Sequence, residues 1–126
     1  MTDSGLRGRG GAAFPTGIKW QTVLDTPSDT KYIVCNAAEG DSGTFSDRMI
    51  MENDPFVLIE GMIIAGIAVG AEYGYIYLRS EYPDAQKVLN KAIETAKNKG
   101  FLGSNILGSK YNFNLEVTKA AGAYIC

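Results

Sequence analysis

The chain contains no histidine and only two cysteines, Cys35 and Cys126, in 126 residues. The first absence excludes a Ser-His or Cys-His catalytic pair and any histidine-ligated metal. The second excludes an iron–sulfur cluster held by this chain alone, because such a cluster takes a full set of cysteine thiolates. The two cysteines are far apart, and no signal peptide precedes the glycine-rich opening. They read as reduced thiols in a reducing compartment, which places the protein in the cytoplasm. A basic surplus is also missing: the net charge is −2 and the pI about 5.1. No global positive field would gather the phosphates of a nucleic acid. Nothing here has the form of a Walker loop, which sets aside an ordinary nucleotide-triphosphate module.

Long apolar runs are scarce as well. "VLIEGMIIAGIAVGA" (57–71) is interrupted by Glu60 and is shorter than the roughly 20 residues of a membrane span. It reads as a helix buried on most sides, with Gly66 and Gly70 letting another backbone approach, so no membrane insertion is expected. What remains is a hydrophobic fraction of 45%, enough for one compact domain spanning residues 1–126.

The elements follow in a regular order. "IKWQTVLD" (18–25) predicts a short helix that starts near Thr16 and stops before Pro27. "KYIVCN" (31–36) and "GYIYLRS" (74–80) read as fully buried strands, and "FNLEVTKA" (113–120) alternates like a third. Asp54-Pro55 opens the apolar helix. In "DAQKVLNKAIETAKNKG" (84–100), Ala85, Val88, Leu89, Ala92, Ile93 and Ala96 form an amphipathic stripe ending at Gly100. Strands alternating with helices predict an α/β fold with a mostly parallel sheet flanked by helices. Ligands of such sheets collect at the carboxyl ends of the strands.

Three segments carry candidate chemistry. "GLRGRGGAAFPTGIKW" (5–20) holds Gly8-x-Gly10-x-x-Ala13, a formal dinucleotide fingerprint without the preceding strand a Rossmann turn needs. Its glycines let backbone amides approach phosphate oxygens, and Arg7, Arg9 and Lys19 add positive charge. Phe14 offers a stacking face. A solvated entry loop is the competing reading. In "NAAEGDSGTFSDR" (36–48), Asn36 suits the polar edge of a heterocycle. The acids Glu39, Asp41 and Asp47 could bind sugar hydroxyls or a metal, or be solvated, and their spacing is not that of a calcium loop. "AAGAYIC" (120–126) places small residues before Tyr124, either for a flat ligand or as a tight strand end.

Together, "SGLRGRGGAAFPTGIKW", "VCNAAEGDSGTFSDR", "DPFVLIEGM" and "GAYIC" resemble the flavin-carrying NADH-oxidising subunit of respiratory complex I. The chain is similar also to diaphorase subunits of bidirectional hydrogenases. It resembles most the beta subunit of soluble NAD-dependent formate dehydrogenases, through "AAFPTGIKWQTVLDTP" and "EGDSGTFSDRM". The resemblance implies a Rossmann-like FMN domain that exchanges hydride between NAD(H) and FMN. Electrons then pass to or from iron–sulfur clusters, in company with the other subunits of a dehydrogenase complex. It implies that Gly8, Gly10 and Gly11 with Arg9 and Lys19 hold FMN and the facing NAD(H), and that Phe14 stacks on adenine. Asn36 matches a flavin contact, Glu39, Gly40 and Asp41 match the acidic turn around flavin and dinucleotide, and Tyr124 matches a tyrosine at the flavin. The cofactor carries the chemistry, so no catalytic side chain is expected.

Some positions depart from the family pattern. Ala38 stands where the family has aspartate, Ala120 where it has glycine, and Thr22 where some relatives have an aromatic. The family continues beyond "GAYIC" into a "GEE" segment and a cluster domain. The resemblance therefore implies an amino-terminal fragment, without the iron–sulfur domain, whose flavin site is incomplete. A flavin-free, self-associating fragment is the alternative expectation.

Overall fold

The computed structural model describes residues 1–8, 12–37, 51–79 and 83–120. Among the described residues, three long helices alternate with three strands: α1 (Thr16–Asp25), β1 (Tyr32–Ala37), α2 (Pro55–Val69), β2 (Tyr73–Arg79), α3 (Pro83–Asn98) and β3 (Asn114–Ala120). The strands form one parallel sheet in the order β1-β2-β3, as the alternation predicts.

Local chemistry sets the helix ends. Pro55 occupies the first turn of α2, where its missing N–H removes nothing the helix would use. Gly70 ends α2 in the left-handed region at φ 81, and the Ala71 amide donates to the Gly66 carbonyl at 2.9 Å. The amphipathic α3 closes in a Schellman turn at Gly100: its amide donates to the Lys97 carbonyl and that of Phe101 to the Ala96 carbonyl. Ala85, Leu89, Ala92, Ile93 and Ala96 are buried, five of the six stripe positions, with Val88 half-buried.

Gly66 has a different role from the one its spacing suggests. Instead of another backbone, the fully buried Phe113 ring fills the space beside it, and a Cβ on Gly66 would overlap that ring. Gly70 is a helix cap. Gly74 of β2 completes the slot: a Cβ there would lie 2.8 Å from Phe113 Cζ and 2.6 Å from Leu115 Cδ2.

The strands also differ from expectation, because one sheet face is covered and the other open. Register puts Cys35 beside Ile76 and Ile76 beside Val117, and Ala37 beside Leu78. These residues pack with Ile59 and Met62 of α2 and Leu89 and Ile93 of α3 in a single core. Both crossovers step the same way along the sheet, so helices following the usual right-handed path fall on one face. On the opposite face Tyr32, Tyr73 and Asn114 form one row, and Val34, Tyr75 and Glu116 the next. Tyr32 is 55% and Val34 63% exposed. Tyr32 lies 6.1 Å from Tyr73 and 6.0 Å from Tyr75, ring centre to ring centre. The strands are thus half-buried, not fully buried. No helix among the described residues is long and apolar enough to cross a membrane.

Candidate functional site

The opening segment folds back on itself instead of forming a strand-to-helix turn. The Gly8 amide donates to the Phe14 carbonyl at 2.9 Å, and the Thr16 amide to the Leu6 carbonyl at 2.9 Å. Arg7 and Pro15 form an antiparallel bridge between these bonds. The result is a narrow hairpin whose second arm runs directly into α1. Its described arms, up to Gly8 and from Ala12, therefore lie beside the amino terminus of that helix.

Three of the nominated residues meet here. Phe14 is 46% exposed, and Lys19 Nζ lies 5.7 Å from its ring centroid, within cation–π reach. At Gly8 a Cβ would lie 3.7 Å from both Lys19 Nζ and the Phe14 carbonyl oxygen. The bare glycine thus leaves the approach to the ammonium open. Pro15 makes no side-chain cap and the first turn of α1 holds no acid. Lys19 sits in that turn, where a cation opposes the helix dipole. An anion placed there satisfies the uncapped end and the ammonium together.

Arg7 has a role that the sequence expectation did not include. Its guanidinium keeps its positive charge, and Nη1 donates to the Ala13 carbonyl at 3.1 Å. Ala13 adopts φ 52, a left-handed conformation that costs an alanine about 1–2 kcal/mol. The arginine therefore straps a strained residue immediately before Phe14. Sequence reasoning missed this role, although two residues flanking a run of glycines were the available signal.

Asn36 is exposed near the carboxyl end of β1, on the open sheet face and in register with Tyr77, where parallel sheets present ligand-binding groups. Thr22 is exposed on α1 and its hydroxyl donates to the Ile18 carbonyl at 2.9 Å. Arg9, Gly10, Gly11, Glu39, Gly40, Asp41 and Tyr124, with Ala38, lie outside the described residues.

A separate hollow lies elsewhere. A groove of about 560 Å³ runs between α2 and the end of α3, with Phe56, Ile63, Phe101 and Leu107 in its walls. It is mainly apolar, with Glu60 and Lys99 also lining it, and contains none of the nominated residues. The accessible Phe14 ring and the Lys19 ammonium beside Gly8 suit an aromatic ligand that carries phosphate, although the Gly8 amide itself is taken by the Phe14 carbonyl.

The fold is that of an α/β domain with a parallel sheet. The model of the Nuo51 FMN-binding domain matches residues 1–126, and the chain belongs to that family. It is 55% identical over 123 residues to an NADH-quinone oxidoreductase subunit of Aquifex aeolicus (strain VF5), covering 98% of this chain and 29% of that protein. It is 54% identical over 123 residues to the NADP-reducing hydrogenase subunit HndC of Solidesulfovibrio fructosivorans, covering 98% of this chain and 25% of that one. Among solved structures, it is similar to a chain of an NAD+-reducing NiFe-hydrogenase in the H2-reduced state, with TM-score 0.84 and 40% identity. That match covers 99% of this chain and 21% of the other. The chain thus spans less than a third of each of these relatives.

Proposed function

We propose that this chain is the FMN- and NAD(H)-binding part of a redox subunit in a multi-subunit, cytoplasmic NAD-dependent dehydrogenase. The observation that carries the proposal is the meeting of Gly8 and Phe14 of the hairpin with Lys19 of α1, on a chain that matches the FMN-binding domain along its whole length. FMN, when bound, supplies hydride exchange with nicotinamide and single-electron exchange with iron–sulfur clusters.

This chain's residues bind and orient. Lys19 and the amides beside Gly8 neutralise phosphate oxygens, with Arg9, Gly10 and Gly11 completing the cradle. Phe14 offers its ring to adenine, and Asn36 addresses the polar edge of the flavin from the strand end. Glu39, Gly40, Asp41 and Tyr124 line the remaining sides in this reading. The protein's contribution to rate is to hold two flat rings face to face, an entropic gain that needs no general acid or nucleophile. That accords with a sequence without histidine.

Formate as the electron donor of the parent complex belongs to this proposal, on the resemblance of segments 12–27 and 39–49 to formate dehydrogenase beta subunits. The subunit names of the relatives above support the broader class of NADH-linked redox complexes and leave complex I and hydrogenase types as the alternatives. Adding FMN to the purified protein and recording the visible flavin spectrum and fluorescence quenching tests cofactor binding. Absence of binding at tens of micromolar FMN would overturn it for this chain and favour the flavin-free fragment. Formate-dependent reduction of NAD+ by the complex isolated with this chain tests the donor; hydrogen-dependent reduction of NAD+, or NADH-dependent reduction of quinone, in place of formate activity would replace it.

A further inference from the structure

The strap at the base of the hairpin suggests a role for Arg7 beyond the cofactor contacts. We propose that Arg7 is a positioning residue for the adenine half of the dinucleotide: it holds Ala13 in its left-handed conformation and so fixes the direction in which Phe14 presents its ring. This inference rests on the reading of Phe14 as the adenine platform.

Four observations converge. Arg7 Nη1 donates to the Ala13 carbonyl at 3.1 Å. Ala13 carries φ 52, a conformation an alanine leaves readily unless held. The next carbonyl, of Phe14, accepts the Gly8 amide at 2.9 Å, so both carbonyls flanking the Phe14 nitrogen and carbon are tied to the opposite arm. The ring itself is 46% exposed and is not wedged into the core, so its direction depends on its backbone. Lys19 makes no such strap: its ammonium lies over the ring. In this proposal Lys19 meets phosphate, while Arg7, its charge intact, also shapes the platform.

If the strap is cut, Ala13 relaxes to a negative φ and the hairpin spends most of its time with Phe14 turned away. Affinity then falls in proportion to the fraction still correctly posed. A glycine at position 13 occupies the left-handed region without restraint. It should make the strap largely dispensable.

The test uses the flavin-loaded protein and two halves of the dinucleotide, ADP-ribose and nicotinamide mononucleotide, with dissociation constants from calorimetry. Arg7→Ala is expected to weaken ADP-ribose about tenfold while leaving nicotinamide mononucleotide unchanged. Combining it with Ala13→Gly is expected to recover most of the loss. Arg7→Lys, which keeps the charge but not the planar fork, is expected to fall between. Equal weakening of both halves, or no recovery in the double variant, would overturn the proposal and mark Arg7 as a direct phosphate ligand or a general scaffold residue.

Phe14→Ala separates this failure from that of the underlying reading. Loss of ADP-ribose binding in Phe14→Ala but not in Arg7→Ala overturns the role of Arg7 alone. If Phe14→Ala binds ADP-ribose normally, the adenine platform is overturned and the positioning role with it. Amide exchange at Gly8 then reports the strap by itself. It is expected to quicken in Arg7→Ala and to slow again with Ala13→Gly.

Discussion

The Phe113 ring packs against Gly66 of α2, in a slot whose other wall is Gly74 of β2. Phe113 is fully buried, so neither glycine has room for even a methyl group. Gly66→Ala is therefore expected to destabilise the protein by about 1–3 kcal/mol, the usual penalty of overpacking, despite alanine's better helix propensity. Urea unfolding measures it. The companion change Phe113→Leu, which empties the slot, should recover part of the loss in the double variant, as expected of residues in contact.

Ala13→Gly by itself removes the conformational penalty at φ 52 but adds freedom to the unfolded chain. The expected net effect is a gain of about 0.5–1 kcal/mol, read as a small rise in melting temperature. A fall would mean that the left-handed conformation is not maintained in solution.

Lys19→Gln removes the ammonium beside Gly8 while keeping a side chain of similar length. Loss of a charge-assisted contact typically costs about 1.5–3 kcal/mol, so FMN or NAD(H) affinity is expected to fall roughly ten- to hundredfold. Because Lys19 is an exposed residue, folding stability should change little. Fluorescence titration and thermal unfolding on the same sample check both halves of this expectation.

The open face of the sheet gives a fourth expectation. All-parallel sheets ordinarily have both faces covered, yet Val34 is 63% and Tyr73 44% exposed. Residues 1–126 prepared alone are expected to associate at micromolar concentrations, with sedimentation coefficients that rise with concentration. Val34→Glu, which puts charge on that face at the outer strand β1, is expected to shift the equilibrium to monomer. Unchanged association would move the contact to another surface, such as the groove lined by Phe56 and Leu107.

Much of the fold was legible in the sequence because α3 states its orientation. Charged and apolar residues separate cleanly between Ala85 and Ala96, and Gly100 marks the stop. The strands were legible as strands but not as half-covered ones. "KYIVCN" is apolar on both sides, and an apolar run does not reveal how many layers lie against it. Tertiary placement of α2 and α3 on one face decides that, through a strand order that local residues do not encode. The site divided in the same way. Gly8, Phe14 and Lys19 could be nominated because bare backbone, an aromatic and a cation stand at close spacing, and the fold brings the three together; a solvated entry loop has the same composition. The task of Arg7 was hidden, since its partner is a backbone carbonyl whose position depends on the hairpin pairing. At Gly66 the spacing was noticed and the occupant misjudged, because Phe113 is distant in sequence.

That distance bears on how the protein is made. Parallel neighbours cannot be joined by tight turns, so each pairing waits for a whole crossover to be synthesised. The slot between Gly66 and Gly74 stays empty until Phe113 has left the ribosome. Until then the slot on α2 has emerged without the ring that fills it. Nascent chains that pause before residue 113 should accordingly be the ones most dependent on chaperones, and the Phe113 ring works as a latch between α2 and β2.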